Sequence, residues 1–249
     1  MDKRIGAQLY TLRDFTQTEE DFEKSMKKVS DMGYKMVQIS GVGPIAPEKL
    51  KEICDKYGLM VSCTHRGYDE YVNDTDGMID FHKKLGCDIA GLGSMPDEFR
   101  SIEKIPEFVE KMNTVAEKMA KAGITFAYHN HHFEFERMEN GQYIMDYMIE
   151  NGRFAFIIDV YWLAFAGINP AKYIRKMGEK AIAIHFKDLA VVERNVVMAE
   201  IGEGNLDWDE IIEASEVSSY ALVEQDFCRR DPFESLKMSY DYLTKKGFI

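Results

Sequence analysis

Cysteine is scarce and dispersed in this 249-residue chain: Cys54, Cys63, Cys87 and Cys228 form no C-x-x-C pair. That excludes a disulfide framework and a thiolate zinc site, and leaves packing as their role. Positive charge is also short. The 31 Lys and Arg stand against 43 Asp and Glu, a net charge of −12 that repels a phosphate backbone and argues against a nucleic-acid partner. No apolar run approaches the roughly 20 residues of a membrane-crossing helix. Met1-Asp2-Lys3-Arg4 leads into a short apolar strand without the apolar core of a signal peptide, so a cytoplasmic protein with no membrane partner is expected. Missing too are the glycine-rich phosphate signatures. Gly6 stands alone after the first apolar run, where a dinucleotide fold needs G-x-G-x-x-G, and no Walker sequence occurs.

What is present is a repeated unit. Hydrophobic residues at 45% and charged residues at 30% supply both a core and a solvated surface, which excludes disorder. Eight short apolar runs recur: Ile5 to Leu9, Met36 to Ile39, Leu59 to Cys63, Cys87 to Leu92, Ile124 to His129, Phe154 to Asp159, Ala181 to Phe186 and Ala221 to Gln225. Each is followed by a charged stretch of helical period. Gly33, Gly58, Gly86, Gly123 and Gly178 fall where a left-handed residue would end a helix just before the next strand. Runs that are apolar at nearly every residue, such as Phe154 to Ile158, are covered on both faces and suit a parallel sheet. Eight such units without a long linker predict one domain over residues 1–249, a (β/α)8 TIM barrel, in preference to a doubly wound sheet.

In a barrel the chemistry belongs at the C-terminal strand ends, and polar residues cluster there. The fifth run ends in His129-Asn130-His131-His132-Phe133-Glu134, the sixth in Asp159, the seventh in His185-Phe186-Lys187-Asp188 and the eighth in Glu224-Gln225-Asp226. Charged groups at the ends of buried strands are costly unless paired or bound to a metal. Mixed nitrogen and oxygen donors suit Mn²⁺, Zn²⁺, Co²⁺ or Fe²⁺ better than Ca²⁺. His82, in a helical stretch, is expected at the surface or behind the site.

The chain resembles the xylose isomerase-like superfamily of sugar isomerases and epimerases, which also holds inosose dehydratases and, more distantly, endonuclease IV. The resemblance runs from Ile5-Gly6-Ala7-Gln8-Leu9-Tyr10 through Ser62-Cys63-Thr64-His65 and His129-Asn130-His131 to Asp159-Val160-Tyr161-Trp162, His185-Phe186-Lys187-Asp188 and Glu224-Gln225-Asp226. It implies one divalent ion (Mn²⁺, Zn²⁺, Co²⁺ or Mg²⁺), held by carboxylates and a histidine from strands five to eight. Asp159, His185 and Glu224 match three of the ligands. Strand five departs from the family, which has a glutamate there. Either His129 takes its place or Glu134 folds back to supply the carboxylate.

The resemblance further implies proton transfer next to a carbonyl through an enediolate of a small sugar or keto-sugar, with His129, Glu134, Lys187 and Glu224 as the catalytic set. Lys187 either stabilises the developing charge or pairs with Asp188 or Asp226. The alternative activity is a lyase of the inosose dehydratase or 3-keto-glycoside type. A non-catalytic sugar-binding barrel is disfavoured by the intact Asp159, His185 and Glu224, and the endonuclease reading fails on charge. Gln8, His65, His131 and Trp162 are expected to touch substrate, the indole by stacking on a sugar face. The segment Gly202 to Trp208 could cradle a phosphate, but it reads better as a turn with Asp207 capping the next helix. Abundant methionine and aromatics lead us to expect a homodimer or tetramer.

Overall fold

Each of the eight apolar runs forms a parallel strand of a closed barrel in the computed structural model, which describes residues 1–249. The barrel strands are β1 (Ile5–Gln8), β2 (Met36–Ile39), β3 (Met60–Arg66), β4 (Ile89–Leu92), β5 (Thr125–His129), β6 (Ala155–Asp159), β7 (Ala181–Phe186) and, after an inserted hairpin, β10 (Tyr220–Val223). The hairpin is β8 (Asp188–Val192) and β9 (Asn195–Ala199). Outside the strands run α1 (Glu19–Met32), α2 (Pro47–Lys56), α3 (Tyr68–Asn73), α4 (Thr75–Leu85), α5 (Ile105–Lys121), α6 (Ile144–Asn151), α7 (Val160–Phe165), α8 (Pro170–Met177), α9 (Trp208–Ala214) and α10 (Pro232–Lys245). No helix is long and apolar enough to cross a membrane.

The helices end as the glycines foretell. Gly33 closes α1 at φ 113°, and a side chain there would overlap the Tyr240 ring. Each helix lays its apolar stripe on the outer faces of the strands, giving one large core between the two shells. A second, smaller cluster fills the barrel interior: Met36, Cys63, Ile89, Ala127, Ile157, Ala183 and Leu222, one from each of seven strands. The eighth strand contributes Gly6, because a Cβ there would overlap Leu222 and Met36. The lone glycine of the first run is therefore a packing requirement of the barrel plug.

The structure departs from the sequence reading in two places. β3 continues past Cys63, so His65 and Arg66 belong to the strand end and not to the loop. The hairpin was not expected; its two-residue turn is Glu193-Arg194, with φ of 50° and 69°. Of the two positions expected for His82, the structure takes the one behind the site: it is fully buried, with Nε2 2.8 Å from Thr64 Oγ1 and Nδ1 2.7 Å from the Met78 carbonyl, and braces β3. The glycine-rich segment is occupied by the protein itself. The buried Asp188 carboxylate accepts from the N–H groups of Gly202, Gly204 and Leu206 and from Trp208 Nε1, while Asp207 caps α9 through Glu210 N. Those backbone donors are spent, which leaves no phosphate cradle there.

Candidate metal centre

Side chains alternate along a strand, so the residue two positions after each plug residue also points inward, one layer closer to the C-terminal mouth. Two steps beyond Gly6, Met36, Cys63 and Ile89 stand Gln8, Gln38, His65 and Gly91; two beyond Ala127, Ile157, Ala183 and Leu222 stand His129, Asp159, His185 and Glu224. The barrel geometry converts one apolar layer into one polar layer. Gly91 adds room, since a Cβ there would lie 2.8 Å from Cδ2 of His65.

His129, Asp159, His185 and Glu224 are all buried and each offers one donor atom, with all four atoms within 4.8 Å of one another. His129 Nε2 is 3.4 Å from Asp159 Oδ2; His185 Nδ1 is 3.9 Å from that same oxygen and 2.9 Å from Glu224 Oε2. The outward ring nitrogens are committed. His129 Nδ1 lies 3.0 Å from the Gly93 carbonyl and His185 Nε2 2.7 Å from Gln38 Oε1, so each N–H donates outward and a lone pair faces the cluster. Lone pairs facing carboxylate oxygens repel unless a cation lies among them, and two imidazoles with two carboxylates could hold one divalent ion. Asp159 divides its oxygens: Oδ1 accepts from the N–H groups of Tyr161 and Trp162 and caps α7, which leaves Oδ2 for the cluster. The backbone N–H of Asp159 is held in turn by Asn130 Oδ1 at 3.0 Å.

The family model described as a xylose isomerase-like TIM barrel matches residues 26–220. The chain belongs to this family. Solved structures of similar fold include a sugar phosphate isomerase/epimerase from Parabacteroides distasonis, with TM-score 0.77, 23% identity and coverage of 97% of this chain and 93% of that one. A D-allulose 3-epimerase from Methylomonas sp. gives TM-score 0.73, 13% identity and coverage of 98% and 97%. A probable 3-DHS dehydratase from Bacillus anthracis gives TM-score 0.75, 12% identity and coverage of 97% and 98%. At these identities the likeness is one of fold. No curated protein matches the sequence.

In this xylose isomerase-like barrel the cluster is flanked by a cation of its own. Lys187, fully buried two residues beyond His185 and just past the end of β7, sets Nζ 2.8 Å from Asp159 Oδ2, Glu224 Oε2 and Asp226 Oδ2 alike. It pairs with Asp226 as one alternative foresaw, and with two cluster carboxylates as well; Asp188 is not its partner. Burial works against its charge, but the three carboxylates outweigh it and hold the ammonium well above the usual lysine range. For Glu224, burial pushes the carboxyl up, while Lys187 outweighs it and holds it well below the usual range.

Glu134 behaves otherwise. Its carboxylate stays out of the cluster, with Tyr128 Oη donating to Oε1 at 2.5 Å and His131 N–H donating to Oε2 at 2.9 Å. Burial pushes it up to about 7. The structure thus brings His129, and not Glu134, to the strand-five position of the cluster. Glu134 anchors the turn that carries His131.

A cavity of about 250 Å³ opens above the cluster. Gln8 borders it, but its amide is engaged, donating from Nε2 to Glu224 Oε1 at 2.5 Å and accepting from Tyr10 N at Oε1. His65 and His131 border it too, and His65 Nε2, His131 Nδ1 and Trp162 Nε1 are buried with no hydrogen-bond partner. Burial pushes His131 down to about 3 and keeps His65 well below the usual histidine range, so both rings are neutral. Trp162 packs on His131 at a tilt of 42°, with centroids 5.4 Å apart, and does not itself line the cavity. Sequence reasoning missed Gln38 and Gly93, which fix the two histidine tautomers. The signal was there in Gln38, a single amide inside the apolar run of β2.

Proposed function

We propose that the protein is a divalent-metal-dependent sugar isomerase or epimerase that moves a proton on a carbon next to a carbonyl. The observation that carries this reading is the buried His129–Asp159–His185–Glu224 cluster, with two lone-pair nitrogens turned onto carboxylate oxygens at the floor of a polar cavity. A bound divalent ion supplies Lewis acidity there, polarising a substrate oxygen and stabilising the charge that develops on it.

The chain's own residues do the remainder. Asp159 and Glu224 hold their negative charge because Lys187 lies between them, and Lys187, committed to three carboxylates, sets the charge of the site without being a free acid. His65 Nε2 and His131 Nδ1, neutral and unpartnered, are the groups that accept and return protons or hold hydroxyls, with Glu224 on the far side of the cavity. Trp162 packs behind the His131 ring and helps to position it. The cavity lining has carboxylates and imidazoles but no lysine or arginine, and Asp188 fills the glycine-rich loop, which supports an unphosphorylated substrate.

A lyase is the second reading, and the observation favouring it is that the cavity holds two unpartnered imidazoles, His65 and His131. One could remove a proton beside the carbonyl and the other protonate a leaving oxygen. Incubating Mn²⁺-loaded protein in D₂O with a panel of ketoses and keto-sugars decides between them. Solvent deuterium appearing next to the carbonyl is expected, an enone product would favour the lyase, and neither change at full metal loading would overturn both.

A further inference from the structure

Large apolar side chains that reach solvent are unevenly placed on this barrel. Of the eight, Tyr10, Phe15, Phe165, Val191, Val196 and Phe227 stand on segments that follow β1, β6, β7 and β10, while the segments after β2, β3, β4 and β5 carry none. The large apolar side chains that meet water are therefore gathered on one half of the barrel, and a cluster of them is where a ligand or partner would be favoured.

Within that half, one group is continuous with the cavity. Tyr10 lines the cavity, as does Asp226, and Phe227 follows Asp226 directly with 73% of its surface exposed, the highest of the eight. The Arg13 guanidinium lies 4.4 Å from the Tyr10 ring centroid and 5.8 Å from that of Phe227, and donates to the Tyr10 carbonyl at 2.9 Å. Two rings with a cation between them form a lip on which a further aromatic ring can stack. The cavity below has space for about one sugar ring, so any group carried by that ring leaves over the lip. A second copy of the protein seated on Tyr10 and Phe227 would close the opening they border.

We propose that the Tyr10–Arg13–Phe227 lip is a subsite for an aromatic group attached to the sugar, so that the substrate is an aryl-substituted sugar and not a bare monosaccharide. This rests on the sugar reading above and deepens it.

The test is binding, which needs no turnover. Phenyl and methyl β-glycosides of glucose, galactose and xylose are titrated as matched pairs into the wild-type protein and into Phe227→Ser, with saturation-transfer NMR to find the protons in contact and sedimentation to follow mass. In at least one pair the phenyl glycoside should bind about tenfold tighter, with saturation strongest on its ring protons. Phe227→Ser should abolish that preference and leave the methyl partner unchanged. Equal affinities within every pair, or a phenyl preference that survives Phe227→Ser, would overturn the subsite while leaving the sugar reading intact. A variant that loses mass but keeps the preference would assign the patch to a second copy and overturn it too. If no glycoside of either kind binds, the sugar reading fails and the subsite with it.

Discussion

The two inner layers of the barrel lie two residues apart on the same strands, equally removed from water and opposite in chemistry. Below, Met36, Cys63, Ile89, Ala127, Ile157, Ala183 and Leu222 gain free energy simply by being buried. Above, His129, Asp159, His185, Lys187 and Glu224 are buried at a desolvation cost that only mutual pairing, or a cation, offsets. The lower layer accounts for the barrel and the upper layer for its chemistry, so substitutions in the two should be separable by experiment.

Ile157→Ala, in the fully buried plug, should cost about 2–5 kcal/mol by urea unfolding, since neighbouring strands cannot collapse into the space. A cost below 1 kcal/mol would mean that the plug is loosely packed and the comparison misdrawn.

Glu134 and Glu224 sharpen the contrast within the upper region. Both are buried, but Glu224 has Lys187 and His185 against it, whereas Glu134 has only a phenol and a backbone N–H, and its carboxyl rises from an ordinary 4.5 to about 7. Between those two values the folded state binds more protons than the unfolded state, so Glu134 lowers stability as pH rises through that window, by about 3 kcal/mol at the upper end. Glu134→Gln should remove this dependence. Unfolding measured from pH 4.5 to 7.5 should show the variant gaining on the wild type by about that amount, and parallel curves would contradict the assignment.

Smaller still is the expected effect of Gln38→Leu. Without the acceptor for His185 Nε2–H the ring loses its fixed tautomer, and Mn²⁺ affinity should fall about 10–100-fold, or about 1.4–2.7 kcal/mol, with the fold retained. Unchanged affinity by calorimetric titration would show that the ring is held by packing alone.

Much of this was legible in the chain. The eight runs located all eight barrel strands because parallel strands covered on both faces are written as near-continuous apolar stretches. Asp159, His185 and Glu224 stood out as charges ending such runs, and the structure gathers them. Other features were hidden for physical reasons. β3 runs on to Arg66 through polar residues, of which His65 borders the cavity, Thr64 meets His82 and Arg66 pairs with Glu70. The hairpin turns on Glu193-Arg194, which lacks the asparagine and glycine that usually signal positive φ. Whether His82 lay at the surface or behind the site was hidden because its partner, Thr64, is 18 residues away in sequence and meets it only once β3 and α4 pack. Whether His129 or Glu134 joined the cluster depended on where β5 ends and on the phenol of Tyr128, neither of which spacing reveals.

The central claim is that the upper layer is built around a cation held by His129, Asp159, His185 and Glu224, with Glu134 outside it. Mn²⁺ content after equilibration and desalting, compared among wild type, Asp159→Asn and Glu134→Gln, tests it directly. One ion per chain is expected in the wild type and in Glu134→Gln, and almost none in Asp159→Asn. Full occupancy in Asp159→Asn, or loss of the ion in Glu134→Gln, would contradict the account.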